Sequence, residues 1–321
     1  MQSIGGYFEW EFPAKSGSPL HPEAVRLNSA RFALEYILRE FPKIKKIWIP
    51  YFTCEVVLEP LRRLGVSWEF YHINDSLEID STIELYNGEY IVYTNYYGIK
   101  DAYISQLVEI YGDKLVVDNA QALFCAPIAK HQFYSPRKFV GMPDGGLAVT
   151  VVAGDSENLP RDLSFERCSH LLKRIDLGAS GAYGDFQKND ESLSSEKLSL
   201  MSNLSSRIYD SIDFERVRET RRDNFESIHE ELGGSNRLKI PSMDSFACPL
   251  VYPYWSDRNN LKKDLIERKI FVATYWPNVF EWCKPTDLEY ELADHVICIP
   301  VDQRYREEDM ERIIREMKKC C

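Results

Sequence analysis

Three short stretches of this sequence place chemically useful side chains directly after or at the start of apolar runs. The run KLVVD, Lys114 to Asp118, ends in a carboxylate that is followed by Asn119, Ala120 and Gln121. A carboxylate at the mouth of a buried strand can pair with a cationic ligand nitrogen. In FYSPRKF, Phe133 to Phe139, Ser135 and Lys138 stand three residues apart. A hydroxyl able to hold phosphate and an amine able to form a Schiff base can therefore face one site. The turn PDGG, Pro143 to Gly146, follows closely. In LNSARFALEYIL, Leu27 to Leu38, either Asn28 or Ser29 can cap a helix whose first amides make an anion site. Each stretch also has a plainer use: Asp118 as the cap of a following turn, Lys138 as a solvated amine, and Asn28 or Ser29 as the cap that any helix needs.

The elements that must position these groups are readable around them. Apolar runs at Lys46 to Pro50, Val66 to Ile73, Tyr90 to Thr94, Lys114 to Asp118 and Gly146 to Val152 each fit a buried strand. Between them, Cys54 to Leu64 carries apolar residues at helical spacing and stops at Gly65, and Asp101 to Tyr111 predicts a second helix. This alternation predicts an α/β fold with a mostly parallel sheet covered by helices. Beyond about Gly154 the pattern turns to charged helices, notably Phe214 to Leu232. A mixed tail follows, with strands at Phe246 to Tyr252, Ile270 to Ala273 and Val296 to Ile299 and helices at Asn259 to Arg268 and Glu307 to Lys319. The division expected is a large domain over 1–210 and a small α+β domain over 211–321. Asn189 to Ser195, rich in serine, is expected to be a mobile loop.

Composition narrows the function classes. With 321 residues, 44% of them hydrophobic, the chain can bury a large core. Its 39 basic and 50 acidic residues give a net charge of -11, which repels nucleic acid and anionic membranes. Eight cysteines are scattered without a CxxC pair or zinc-ligand spacing, so no metal site is expected and the thiols read as reduced. Met1 to Trp10 has no basic segment followed by an apolar one, and no run is long enough to cross a bilayer, so a cytoplasmic protein is expected. A dinucleotide-binding dehydrogenase is disfavoured, because no GxGxxG follows a first strand.

A phosphate-receptive helix start, an Asp closing a strand, and a lysine twenty residues later ahead of a Gly-Gly turn form the layout of fold-type I pyridoxal-phosphate enzymes. The chain resembles the DegT/DnrJ/StrS family of sugar aminotransferases in IWIPYFTCEVVLEPLRRLG, in TNYYG at Thr94 to Gly98, in VVDNAQALF at Val116 to Phe124 and in SPRKFVGMPDGG at Ser135 to Gly146. ICIPVDQRYREEDMERII has the shape of the family's closing strand and helix. Where the family has a Ser-Phe pair ahead of the lysine, this chain has Phe133 and Tyr134, which leaves Ser135 as a shifted substitute. The family's Asn-Tyr-Arg-Met segment is not recognisable between Lys173 and Ser202.

The resemblance implies pyridoxal 5'-phosphate bound covalently to Lys138, with Asp118 paired to the pyridine nitrogen and Gln121 against the ring or its 3-hydroxyl. It further implies a phosphate grip from Ser135, Ser29 and the amides around Ala30 and Arg31, and aromatic cover from Tyr51 or Phe52. Asn95 and Tyr97 end a strand and are candidates to line the pocket. Arg304 is a candidate to bind a substrate carboxylate. Their plainer roles are packing for the first two and a structural ion pair for Arg304. The implied activity is amino transfer from glutamate to a nucleotide-linked keto-sugar for a surface polysaccharide, by a homodimer. Two alternatives stand beside it: a pyridoxal-phosphate enzyme of another reaction type, such as a dehydratase or an enzyme acting on amino acids, and a non-catalytic sugar-nucleotide-binding relative.

Overall fold

Strands buried on both faces need helices on both sides, and the chain supplies them. A computed structural model describes residues 8–13, 19–151, 156–258 and 260–320. Its elements run β1 (Val25–Leu27), α1 (Ala30–Arg39), β2 (Lys46–Pro50), α2 (Leu58–Leu64), β3 (Ser67–Tyr71), β4 (Glu89–Thr94), α3 (Asp101–Tyr111), β5 (Leu115–Asn119), β6 (His131–Tyr134) and β7 (Gly146–Thr150). They continue with α4 (Ser169–Ser195), α5 (Asn203–Ser211), α6 (Phe214–Leu232), β8 (Val251–Trp255), α7 (Leu261–Glu267), α8 (Val279–Trp282), α9 (Leu288–His295), β9 (Val296–Pro300) and α10 (Glu307–Cys320). One sheet has the order β1-β7-β6-β5-β4-β2-β3. Strands β2 to β6 run parallel, while β7 is antiparallel to β6 and β1 to β7. Strands β8 and β9 form a separate antiparallel pair. The helix-covered, mostly parallel sheet expected from the sequence is thus the observed architecture.

Strand β5 shows how the sheet divides the core. All five residues of LVVDN are buried. Leu115 and Val117 join the apolar cluster that contains Ile104 of α3 and Phe225 of α6, whereas Val116 packs with Phe32 and Ile37 of α1 and Leu61 of α2. Successive side chains alternate faces, so Asp118 falls on the α1 side. Helix α2 stops at Gly65, whose φ of 66° is left-handed and suits a residue without Cβ.

Several expectations need correction. Strands β1 and β6 were not foreseen; β6 reads HQFY, and its polar His131 and Gln132 are buried because each has a partner, Thr150 Oγ1 for His131 and Ala129 O and Asn119 Nδ2 for Gln132. The strand expected at Phe246 to Tyr252 starts later, at Val251. Ile270 to Ala273 is not a strand and makes one isolated bridge, Ala273 to Cys298. Asn189 to Ser195 is no loop: it is the last turns of α4, where Ser192, Ser194 and Ser195 donate to carbonyls three residues back and Asn189 Nδ2 donates to Pro143 O. The expected strand end at Val152 and helix start at Asn259 lie outside the described residues. Among the described residues no helix is long and apolar enough to cross a membrane.

Candidate active site

The site begins where α1 meets the Gly-Gly turn. Ser29 is the cap: its backbone is extended (φ -160°, ψ 164°) and its Oγ accepts from Phe32 N at 3.4 Å. Asn28 is spent elsewhere, donating to Lys197 O and accepting from Ser199 N. Gly145 N donates to Asn28 O at 2.8 Å, and Gly146 lies so close that a Cβ there would come within 2.2 Å of Ser29 C and O. Glycine at 146 is therefore a packing requirement that holds the turn against the start of α1.

Seven of the residues assigned to the cofactor line one cleft: Ser29, Ala30, Arg31, Asp118, Gln121, Ser135 and Lys138. Three strand ends and a helix start bring them together. In register, Thr94 of β4 lies beside Asp118 of β5, which lies beside Phe133 of β6, and all three reach the cleft. Such a crevice beyond the carboxyl ends of parallel strands is where ligands bind in open α/β sheets.

Each polar group has a distinct condition. Asp118 is buried; Oδ1 accepts from Ala120 N at 2.8 Å, while among the described residues Oδ2 has no partner. Burial pushes its carboxyl above the usual range, against the opposing pull of the Lys138 charge and the Ala120 N–H. Lys138 closes the tight turn Pro136–Lys138 after β6. Its side chain is exposed at the cleft and, among the described residues, has no hydrogen bond or ion pair. Gln121 is 1% exposed; its Oε1 accepts from Tyr97 N at 2.7 Å and its Nε2 is buried without a partner among the described residues. An orphaned donor of this kind is a place for a ligand acceptor.

Other expected residues lie outside the cleft. Tyr51 stacks on Phe70 with centroids 4.7 Å apart, and Phe52 is buried in the core edge-on to Trp276. Neither covers the cleft; its aromatic walls are Phe133 and Trp276. Asn95 is buried with its amide donating to Asp101 Oδ1 and Asn119 Oδ1 and its Oδ1 accepting from Lys100 N. Tyr97 is buried against Tyr275, and its contribution is the backbone N–H that orients Gln121. Arg304 forms a two-toothed pair with Asp302 at 2.7 and 2.8 Å, so its guanidinium serves the scaffold.

Residues missed by the sequence reading complete the cleft: Cys54, Thr94, Arg137, Asp190 and Trp276. Thr94 ends an apolar strand, so the strand-end rule that picked Asp118 could have found it. Arg137 adjoins the lysine. Trp276 and Asp190 arrive through long-range packing and carry no local signal. Among the described residues no cluster of His, Cys, Asp and Glu could hold a metal ion.

No family model and no curated protein sequence matches this chain. Solved structures do. Spr1654 of Streptococcus pneumoniae, assigned as a sugar aminotransferase and solved in its PMP form, superposes with a TM-score of 0.64 at 16% identity over 92% of this chain and 87% of its own. DesV of S. venezuelae gives 0.61 at 15% identity over 92% and 84%, and a DegT DnrJ EryC1 StrS aminotransferase of Brucella abortus gives 0.59 at 15% over 92% and 85%. Over 92% of its length the chain therefore has the fold of the DegT/DnrJ/EryC1/StrS-type sugar aminotransferases.

Proposed function

We propose that this protein is a pyridoxal-phosphate-dependent aminotransferase that moves an amino group from glutamate to a nucleotide-linked keto-sugar. The observation that carries the reading is the meeting of an unpaired amine, Lys138, with the buried carboxylate of Asp118 and the orphaned amide of Gln121 in one cleft. Those residues fit the cofactor. The free oxygen of Asp118 suits a protonated pyridine nitrogen, Gln121 Nε2 suits a ring oxygen acceptor, and the start of α1 suits a phosphate.

Pyridoxal phosphate, when bound, supplies an aldehyde to carry the amino group and a cationic ring to take up electrons from the bond being broken. The chain supplies the rest. Lys138 Nζ would hold the aldehyde and would take and return the proton that moves during amino transfer. Asp118 would keep the ring cationic, and its burial would strengthen that pairing by excluding water. Tyr97 N fixes the Gln121 amide so that Nε2 faces the ligand without reorganisation.

The sugar substrate rests on the fold likeness to sugar aminotransferases, and a place in making surface polysaccharide in the cytoplasm rests on the sequence resemblance. A homodimer is supported by the surface of α4 and the segment before it, where Leu163, Phe165, Leu172, Ile175, Leu177 and Phe186 stand exposed. The same helix brings Asp190 to the cleft, so a second copy seated there would wall the site.

The test is spectroscopic. Protein reconstituted with pyridoxal phosphate should turn yellow, and glutamate alone should bleach it with release of 2-oxoglutarate. A yellow protein that glutamate leaves unchanged would point to another reaction of the same cofactor; a colourless one would point to a binding protein.

A further inference from the structure

The residue beside the lysine has an unmet electrostatic need. Arg137 lines the cleft with a side chain only 14% exposed, and its Nε is buried without a partner among the described residues. Among the described residues the one carboxylate that reaches it is Asp190, whose Oδ1 lies 3.3 and 3.4 Å from the two terminal nitrogens. Charge-assisted hydrogen bonds to guanidinium are normally about 2.7–2.9 Å long, so this pairing is slack. Asp190 is itself 55% exposed, which weakens its hold further. The nearby Asp144 offers little, since its oxygens accept from Ser202 N, Ser202 Oγ and Ser205 Oγ. Burial is the main influence against the charged guanidinium and the neighbouring Arg31 adds to it, while Asp190 and Asp144 offset only part.

A buried cation with a poor partner costs stability unless something completes it. The cleft indicates what that is. Ala30 and Arg31, the first residues of α1, line it, so the positive end of a ten-residue helix faces the same space. Arg31 is already satisfied by both oxygens of Glu59 at 2.8 and 2.9 Å. The open valence of the cleft therefore belongs to Arg137. Phe133, at the position where a Ser-Phe pair was expected, is buried and apolar and has no hydroxyl to give.

We infer that Arg137 is the phosphate anchor of this cleft: its guanidinium, together with Ser29 and the first turn of α1, binds a phosphate monoester and displaces Asp190 as it does so. The inference rests on the proposed cofactor and adds to it the group that selects the phosphorylated form. Lys138 receives the aldehyde end and Arg137, its chain neighbour, the phosphate end. Asp190 acts as an internal competitor that neutralises Arg137 until the phosphate arrives.

The experiment uses the full-length protein freed of cofactor, as wild type, Arg137→Met and Asp190→Asn, each first checked for a native melting curve. Each is titrated with pyridoxal phosphate, with pyridoxal, and calorimetrically with inorganic phosphate. Arg137→Met, which keeps the length of the side chain, is expected to weaken pyridoxal phosphate about tenfold or more and to change pyridoxal less than about twofold, since only a phosphate contact is lost. Inorganic phosphate should bind the wild type and not this variant. Asp190→Asn should tighten pyridoxal phosphate and leave pyridoxal unchanged. Equal losses for both aldehydes in Arg137→Met, or none for either, would overturn the assignment. Arg137-dependent binding of inorganic phosphate by a wild type that condenses with neither aldehyde would uphold the anchor and sink the cofactor. A wild type that condenses with both aldehydes equally well would do the reverse.

Discussion

Asp118 of β5 and Phe133 of β6 lie side by side in register across a parallel strand pair, so only five residues after Phe133 deliver Lys138 to the cleft that Asp118 lines. Tyr134 and the turn at Pro136 to Lys138 make that delivery rigid: Lys138 N donates to Ser135 O, and Phe139 N to Pro136 O. Backbone geometry thus brings Lys138 and Asp118 to the lining of one cleft.

Asp118 pays for its position in stability. Burial raises its carboxyl above the unfolded value, so the folded chain binds the proton more tightly than the unfolded one, and stability falls as pH rises through the carboxylate range. Asp118→Asn should therefore raise the melting temperature of the cofactor-free protein at neutral pH by about 2 °C and flatten that part of its pH dependence. The same variant should lose about a hundredfold or more in the rate of glutamate bleaching, because the ring loses its fixed negative partner. Melting scans and stopped-flow absorbance check both; an unchanged pH profile of melting contradicts the account.

Gly146→Ala should be costly out of proportion to one methyl group. Its Cβ would meet Ser29 C and O at 2.2 Å and Ala30 N at 2.5 Å, all backbone, so the start of α1 must move. A loss of about 1–3 kcal/mol in urea unfolding is expected, with weakened pyridoxal phosphate binding, as overpacking against a backbone predicts. A variant as stable as the parent would mean the close approach is not real.

On the proposed homodimer, Ile175→Asp combined with Leu177→Asp should convert the dimer to a monomer. Both residues are exposed on α4, at 80% and 63%, so charge there removes apolar contact area between copies without touching the core of one. Light scattering after gel filtration reads the outcome. A dimeric mass for both would place the partner surface elsewhere, and a monomeric parent would contradict the homodimer.

Much of this arrangement was legible because the parallel strands are apolar throughout and end abruptly in polar residues. Asp118 and Thr94 sit at such ends, helix α2 carried apolar residues at helical spacing and a stop at Gly65, and α3 and α6 were read as helices. Strand β6 was hidden because its buried His131 and Gln132 look like surface residues until their partners are known. Serines at the end of α4 looked like a loop, yet each bonds back into its own helix. Tyr51 and Phe52 were plausible ring covers by order along the chain, but the turn after β2 sends one onto Phe70 and the other into the core. Trp276, which does wall the cleft, comes from a segment more than a hundred residues beyond Lys138, where only tertiary packing decides.

The most direct test traps the bond at the heart of this account. Wild-type protein incubated with pyridoxal phosphate and reduced with borohydride is digested and mapped by mass spectrometry. The account predicts a pyridoxyl group on the peptide containing Lys138 and nowhere else in comparable yield, and none in Lys138→Ala. Labelling scattered over surface lysines, or retained in Lys138→Ala, would contradict it.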